Sequence, residues 1–417
     1  MSIPSPLQAT PDATSRNFVI APTCRSQEHL TADVVVIGAG VVGAACAYSL
    51  ALRGLSVHLV ERDAPARGTS GACEGNLVLW DRPTLADLQL ARWSHERWAE
   101  LSEELRESVG IDIEFDRKGS LMLLADEADA AAAEEKCAWL AAQGVEFEWL
   151  DERALAANEP CVRGGIAAAA YFPRDAQIEP RLATAALVAA ARARGAVVHN
   201  HEPVLRIEVG VDGAPVAVTT PVHRIACEWA VAAAGVWSPA LLDGLADLPV
   251  TARKGQIAVL AGAPVTVRHK IMEASYFRTV ASGDAGLQVA TVIESTRAGS
   301  ILVGSSRLVT HADDRLVDLD VLAQMVARAV EFVPGLASGR VIRSYAGVRP
   351  MSPDHTPIIG PLGNAPRIVV ATGHEGGGVM MAAATGEVVA QHIASEEMRL
   401  PLEPYLPTRF ASSQIAS

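Results

Sequence analysis

The chain has 417 residues, of which 50% are hydrophobic and 20% are charged, so it can bury a large core and is not a disordered chain. Its net charge of −13 comes without a block of basic residues, which argues against a nucleic-acid partner. The longest apolar stretches, such as 182–191, have about half of the roughly 20 residues that a membrane-spanning helix needs. We therefore predict no integral membrane segment and a cytoplasmic location, with peripheral association with a membrane left open.

The cysteines and the N-terminal segment carry little functional signal. The six cysteines lie far apart and form no C-x-x-C pair, so we predict no zinc site, no iron–sulfur cluster and no other metal. In a chain of this length they are expected to be buried thiols rather than a disulfide framework. Residues 1–30 contain four prolines and no cationic start followed by an apolar run, so they are predicted to be a flexible segment rather than a signal peptide.

The first ordered element is predicted to start at Ala32. Residues 33–37 form an almost unbroken apolar run, as expected for a central parallel strand that is buried on both faces. A helix is predicted over 44–53, because Gly54 ends a run of Ala, Leu and other helix formers. A second strand is predicted over 55–60, which completes a strand–turn–helix–strand unit.

The turn of this unit has the pattern Gly38-x-Gly40-x-x-Gly43. The first glycine permits the tight turn, the second lets the backbone approach a pyrophosphate, and the third lets the helix pack on the strand. The helix N-terminus then faces the phosphate charge. Glu61, at the end of the second strand, lies where a carboxylate would accept hydrogen bonds from an adenosine ribose. The pattern indicates a dinucleotide site without separating NAD from FAD, and an ordinary glycine turn is its structural alternative.

The rest of the chain mixes helices and short strands. Residues 67–76 are predicted to be a loop, and helices are predicted over 85–108, 127–143, 180–194, 319–333 and 378–395. Short strands are predicted over 119–124, 145–150, 197–199, 204–209, 216–219, 229–234 and 367–371, with further strand signals crowded into 256–304. No repeat or low-complexity linker divides the chain, so a second domain is expected to be interleaved with the first.

Five further segments have sequences that occur together, in this order, in one family. They are Glu61-Arg62-Asp63 with the small-residue stretch 68–76 (GTSGACEGN), Asp175-x-x-Ile178-x-Pro180, 231–238 (VAAAGVWS), 347–360 (GVRPMSPDHTPIIG), and 373–378 (GHEGGG) with 384–387 (ATGE). With the glycine motif, they make the chain resemble the D-amino acid oxidase superfamily of FAD-dependent oxidoreductases. Within it, the chain is similar to glycine oxidase, D-amino acid dehydrogenases and the flavin subunits of hydroxyproline and opine dehydrogenases. The stretch 68–76 resembles the last group more than glycine oxidase.

The resemblance implies an α/β fold in which a Rossmann-like FAD-binding domain is interleaved with a mostly antiparallel α+β substrate domain. The FAD-binding domain would comprise residues 31–110, 160–250 and 345–400. The substrate domain would comprise 111–159 and 251–344, and 401–417 would be a C-terminal tail.

The resemblance also implies FAD-dependent oxidation of a C–N bond, by hydride transfer from Cα to flavin N5 and hydrolysis of the imine. The substrate would be a small amine that carries a carboxylate: a D-amino acid, glycine, hydroxyproline or an opine. Two alternatives stay open: a flavin-bearing subunit of a larger electron-transfer dehydrogenase complex, and an NAD-dependent dehydrogenase. The protein partners left open are the other subunits of a heteromeric dehydrogenase, or further copies of this chain in a homo-oligomer.

Three residues are predicted to be catalytic. Arg349 would hold the substrate carboxylate, because a guanidinium presents a planar fork that matches a carboxylate; a structural ion pair is its alternative. His374 would contact the flavin or the substrate, or else anchor its loop. Tyr276 would cover the site, or else be an ordinary core or surface tyrosine.

The resemblance assigns the cofactor to residues from four parts of the chain. The glycines of 373–378 also open a predicted helix, whose N-terminal charge would stabilise a reduced flavin ring. Thr69-Ser70 replaces the Ser-His pair of histidyl-linked relatives, and Cys73 is at no recognised linkage position, so the FAD is expected to be non-covalent. The predicted cofactor-binding residues are Gly38, Gly40, Val41, Val42, Gly43, Glu61, Arg62, Thr69, Ser70, Gly75, Asn76, Leu77, Val204, Ala234, Gly235, Trp237, Gly373, His374, Gly376, Gly377, Gly378 and Val379.

Overall fold

Two eight-stranded sheets carry the fold of the computed structural model, which describes residues 27–276 and 284–414. The first sheet has a parallel core, in which each strand pairs in parallel with the next. In spatial order this core is β18 (Ala365–Thr372), β11 (His223–Ala232), β1 (Glu28–Ile37), β2 (Val57–Val60) and β8 (Val197–His199). The antiparallel strands are β17 (Ile358–Leu362) at the edge and the hairpin β9 (Arg206–Val209) and β10 (Pro215–Thr219) beside β11. This sheet confirms the predicted Rossmann-like α/β class.

The second sheet is antiparallel except where its fifth strand pairs in parallel with its sixth. In spatial order it contains β16 (Arg340–Met351), β12 (Thr251–Ala261), β15 (Ile301–Thr310), β14 (Gln288–Ser295), β13 (Lys270–Glu273), β4 (Ser120–Leu124), β6 (Ala168–Phe172) and β5 (Glu148–Asp151). A small ribbon joins β3 (Asn76–Leu77) and β7 (Ala176–Gln177). The predicted mostly antiparallel second sheet is therefore confirmed.

The helices of the Rossmann-like unit pack on one another. α1 (Val41–Leu52) contacts α5 (Pro180–Ala193) and α8 (Gly378–Ile393), and α2 (Leu85–Val109) contacts α8. A Cβ at Gly386 would lie 2.7 Å from the backbone of Ala45, so the small residues predicted for this helix let it approach α1 closely. Further helices among the described residues are α3 (Glu127–Ala142), α4 (Glu152–Asn158), α6 (Ser238–Leu241) and α7 (Leu319–Phe332).

Several boundaries differ from the expectations. β1 begins at Glu28, inside the segment 1–30 that we predicted to be flexible; residues 1–26 lie outside the described part of the chain. The helix α4 was not predicted. β16, the last strand of the second sheet in chain order, was also not predicted as a strand, and part of it was recognised only through the motif 347–360. β6 belongs to the second sheet, although 160–250 was assigned to the FAD-binding domain.

The C-terminal segment packs on the fold through Tyr405 and Arg409. The Tyr405 side chain is buried, and its hydroxyl donates to the Ala86 carbonyl at 2.7 Å. Arg409 donates to both carboxylate oxygens of Asp354. The domain division, including a C-terminal tail at 401–417, stays a prediction. The described residues of this C-terminal segment form short helical turns.

Two other features bear on the sequence analysis. Within the described ranges, no helix is long and apolar enough to cross a membrane. The five described cysteines are all free thiols, and Cys24 lies outside the described residues.

Candidate active site

The glycine turn after β1 brings backbone to the edge of a cavity. Gly38 has a φ of +103°, which favours glycine, and a Cβ at Gly43 would lie only 1.9 Å from the Gly38 carbonyl oxygen. At Gly40 a Cβ would meet only Ser70 Oγ, at 3.2 Å, so the open side of this residue faces the cavity. Ser70 Oγ also accepts from the Val41 backbone N–H at 2.9 Å, which ties the loop 68–76 to the start of α1.

Glu61 is fixed by this turn. One carboxylate oxygen accepts from the Ala39 backbone N–H at 2.7 Å, and the other accepts from the Asp63 N–H at 2.9 Å. Each oxygen keeps a further lone pair for a hydroxyl donor. Beside it, the Arg62 guanidinium lies 3.7 Å from the centre of the Trp237 ring, a cation–π contact.

These residues belong to the wall of one cavity of about 670 Å³. It is lined by catalytic candidates Tyr276, Arg349 and His374, and by the following predicted cofactor residues: Gly38, Gly40, Val41, Val42, Glu61, Arg62, Thr69, Ser70, Asn76, Val204, Ala234, Gly235, Trp237, Gly376, Gly378 and Val379. The wall also contains Cys73, Glu74, Glu202, Arg315 and Glu375, which we did not select from the sequence.

The other predicted cofactor residues lie behind the wall: Gly43, Gly75, Leu77, Gly373 and Gly377. The glycines among them permit close packing, since a Cβ at Gly75 would lie 1.6 Å from the Ile178 carbonyl oxygen and one at Gly377 would lie 2.0 Å from Arg82 Nη1. Gly373 has a φ of +75°. The glycines at 75 and 377 thus let backbone and side chains pack closely behind the wall.

Arg349 lies on β16 beside Arg253 of β12, and its side chain crosses Gly255. A Cβ at Gly255 would lie 2.3 to 2.5 Å from the Arg349 guanidinium atoms, so only glycine leaves room for it. Arg349 Nη1 donates to the Ser306 carbonyl at 3.0 Å. Among residues 27–276 and 284–414, no carboxylate forms a salt bridge with Arg349. A structural ion pair, the alternative role of this arginine, is thus not seen in that part of the chain.

A buried charge cluster lies next to Arg349. Glu375 Oε1 is 3.6 Å from both Arg253 Nη1 and Arg307 Nε, and all three side chains are almost fully buried. Burial by itself would raise the pKa of Glu375, but the three neighbouring arginines hold it below its ordinary value. The guanidinium groups of Arg253, Arg307 and Arg349 bring positive charge to this end of the cavity, which favours an anion there. Arg253 and Arg307 carry no motif signal, whereas Glu375 stands within 373–378.

His374 is buried and anchored. Its Nε2 lies 3.0 Å from Thr385 Oγ1, and that hydroxyl donates its proton to the Met381 carbonyl at 2.8 Å. His374 Nε2 must therefore carry a proton and donate it to Thr385. Burial lowers the pKa of His374 to about 3, so the imidazole is neutral near pH 7. This geometry supports the anchoring alternative, while contact of His374 with the flavin or the substrate stays a prediction, since the residue also lines the cavity.

Tyr276 and Glu74 complete this end of the wall. The Tyr276 ring is buried, with the Arg307 guanidinium 4.4 Å from its centre. Glu74 is also buried, with its Oε1 close to the Gly304 Cα, and this oxygen has no hydrogen-bond partner among the described residues. A buried acceptor without a donor costs about 1–3 kcal/mol, so a ligand N–H or O–H there would be stabilising.

Comparison with known proteins defines the class. Residues 33–392 match the protein family described as DAO, FAD dependent oxidoreductase. The chain therefore belongs to this family, and FAD is its cofactor. This excludes the NAD alternative left open by the glycine motif.

The relatives extend over nearly the whole chain. It is 28% identical to hydrogen cyanide synthase subunit HcnC of Pseudomonas aeruginosa, over 91% of this chain and 96% of HcnC. It is 28% identical to glycine oxidase of Geobacillus kaustophilus, over 90% and 97%. The crystal structure of glycine oxidase from Geobacillus kaustophilus superposes with a TM-score of 0.83, at 27% identity, over 91% of this chain and 99% of that one. The preference for the hydroxyproline and opine group stays a prediction.

Proposed function

We propose that the protein oxidises the C–N bond of an amino acid or N-substituted amino acid that carries a carboxylate. The observation that carries this proposal is Arg349, a guanidinium in the cavity wall without a carboxylate partner among the described residues. The glycine oxidases among the relatives support the substrate class. The candidate substrates within this class are a D-amino acid, glycine, hydroxyproline and an opine.

Arg349 would bind and orient the substrate carboxylate. Its Nη1 is held by the Ser306 carbonyl, so the guanidinium cannot swing freely, and its remaining N–H groups are free to donate to two carboxylate oxygens. The neighbouring Arg253 and Arg307 add positive charge at this point, which favours the anionic end of the substrate.

Glu74 would bind the other functional group of the substrate, its amine. Its Oε1 is a buried acceptor in the cavity wall, suited to the N–H of an amine. Glu74 and Arg349 line the same cavity, so an acceptor for the amine and a donor for the carboxylate face one space.

The cavity fits the cofactor that the family implies. Gly40 leaves its Cα side open to the cavity, and Glu61 presents oxygens with unused lone pairs. We assign the pyrophosphate to the turn at Gly40 and the ribose to Glu61. When bound, FAD supplies the acceptor for the two electrons of the oxidation. The chain supplies binding, orientation and the exclusion of water.

An anaerobic screen tests the substrate class. The flavin-containing protein is mixed with glycine, D-amino acids, hydroxyproline isomers, N-methyl amino acids and opines, and bleaching of the flavin absorbance is recorded. We expect at least one carboxylate-bearing amine to bleach the flavin rapidly. The matched control for each active compound is its amide, which keeps the amine but lacks the charge, and which should react much more slowly. Equal rates for an acid and its amide would contradict the role of Arg349.

We further propose that the FAD is held without a covalent bond. The only described cysteine in the cavity wall is Cys73, and burial raises the pKa of its thiol, which disfavours the reactive thiolate. Acid precipitation should therefore release all flavin into the supernatant, and Cys73→Ser should behave in the same way. Yellow colour in the washed pellet of the native protein, lost in Cys73→Ser, would show a thioether bond instead.

A second candidate function is that of a flavin-bearing subunit in a heteromeric enzyme. The likeness to HcnC, whose name describes it as a subunit, favours it. Turnover by the isolated chain with an artificial electron acceptor tests this alternative. Rapid flavin reduction with no multiple turnover until other subunits are added would support it.

A further inference from the structure

Two histidines and one glutamate form a group beside the cavity that has no part in the proposed reaction. His199 ends β8, Glu202 lies in the following loop, and His223 begins β11. One possible ligand atom from each lies within 4.8 Å of the others. Their side chains are 7%, 13% and 14% exposed, so the group is partly shielded but within reach of solvent.

The Glu202 carboxylate bridges the two imidazoles. Its Oε1 is 3.5 Å from His199 Nδ1, and its Oε2 is 2.7 Å from His223 Nδ1. Bonds of about 2.0–2.2 Å to a tetrahedral zinc ion place its ligand atoms roughly 3.3 Å apart. The observed distances bracket this value, so small rotations of the side chains would accommodate an ion.

A second layer of residues already orients these ligands. His199 Nε2 lies 3.1 Å from His58 Nδ1, and His223 Nε2 lies 3.6 Å from Glu28 Oε2. The Thr220 hydroxyl donates to Glu202 Oε2 at 3.0 Å. The contact with His58 orients the His199 ring through its second nitrogen, as is usual around protein-bound zinc, and Glu28 stands within ion-pair distance of the second nitrogen of His223.

We propose that His199, Glu202 and His223 bind one divalent transition-metal ion of the zinc type, with a fourth position open to water. Two imidazoles with one carboxylate favour such ions over Mg²⁺ or Ca²⁺, which prefer oxygen ligands. Paired cysteines are the usual sequence signal of a zinc site, whereas these ligands come from two separate strands and a loop.

The position of the site connects it to the cofactor cavity. Glu202 lines that cavity, and its backbone N–H donates to the Glu61 carbonyl at 2.9 Å. The Glu61 N–H in turn donates to the His199 carbonyl at 2.8 Å. A bound ion would therefore fix the segment 199–202 against the residue that we assign to the ribose.

Metal uptake by the flavin-containing, untagged protein tests the proposal. The protein is dialysed against an equal concentration of Zn²⁺, and bound zinc is measured by mass spectrometry. We expect one zinc per chain, no uptake of Mg²⁺ in a parallel dialysis, and an affinity lowered by about tenfold or more in His199→Ala and His223→Ala. His201→Ala is the matched control, because His201 lies in the same loop but its side chain is 74% exposed. It should bind zinc as the native protein does.

A second measurement needs no variant. X-ray absorption of the zinc-loaded native protein should show imidazole nitrogen and oxygen ligands without sulfur, and zinc should raise its melting temperature. Failure of the native protein to retain zinc, equal affinity in all variants, or sulfur ligands would overturn the proposal.

Discussion

Replacing Arg349 by alanine is expected to lower kcat/KM for a carboxylate-bearing amine by about 30- to several-thousand-fold, since an unpaired buried charge partner costs ~2–5 kcal/mol. Arg349→Lys keeps the charge but loses the planar fork, so its loss should be smaller but clear. The rate of flavin reduction should fall together with substrate affinity, because a carboxylate that is not clamped leaves Cα poorly oriented. Anaerobic stopped-flow reduction at several substrate concentrations separates the two effects.

The control for this experiment is Arg340→Ala, which removes an exposed arginine from the same strand, β16. It should react like the native protein. All three variants should retain flavin, because Arg349 is assigned to the substrate. Normal affinity and normal flavin reduction in Arg349→Ala would make this arginine a structural residue and remove the main support for a carboxylate-bearing substrate.

Gly40→Val is expected to give a folded protein without flavin. The first added carbon would meet only Ser70 Oγ, at 3.2 Å, so a shift of a few tenths of an ångström by that side chain accommodates it, whereas the two further methyl groups would occupy the space assigned to the pyrophosphate. The ratio of flavin absorbance to protein absorbance measures the loss, and circular dichroism checks the fold. Gly40→Ala is the graded control and should keep part of its flavin.

Variants at two neighbouring positions help to interpret the flavin content of Gly40→Val. Gly43→Ala should fail to fold, since its Cβ would lie 1.9 Å from the Gly38 carbonyl oxygen. Glu61→Ala should weaken FAD by only ~1.5–3 kcal/mol, the value of a hydrogen bond to a charged group. Full flavin content in Gly40→Val would show that the pyrophosphate does not lie at this turn.

Local sequence predicts most of the Rossmann-like unit. The apolar run 33–37, the spaced glycines and the acid at 61 lie within one supersecondary element, so their arrangement follows from short-range rules. The strand β6 was not predicted, because its Ala-rich sequence carries no signal for the sheet in which it pairs, and that pairing depends on contacts with distant β4 and β5.

The contacts among the charged residues of the site also could not be predicted from local sequence. Arg349 was found because it stands in a recognisable motif, whereas Arg253 and Arg307 reach Glu375 only after β12, β15 and the loop before α8 come together. The group formed by His199, Glu202 and His223 likewise depends on two strands of the first sheet meeting near one loop. Tertiary assembly of this kind leaves no spacing pattern in the sequence.

The most direct test of the account is product analysis of a single anaerobic turnover. The flavin-containing protein is mixed with a limiting amount of the best amine found in the screen, and the reduced flavin, the carbonyl product and the released amine or ammonia are quantified. For each flavin reduced, an acyclic amine should give one carbonyl product and one released amine or ammonia, whereas hydroxyproline should give one cyclic imine or its ring-opened hydrolysis product. Flavin reduction without oxidation of the C–N bond, or no reduction by any carboxylate-bearing amine while dithionite still reduces the flavin, would contradict this proposal.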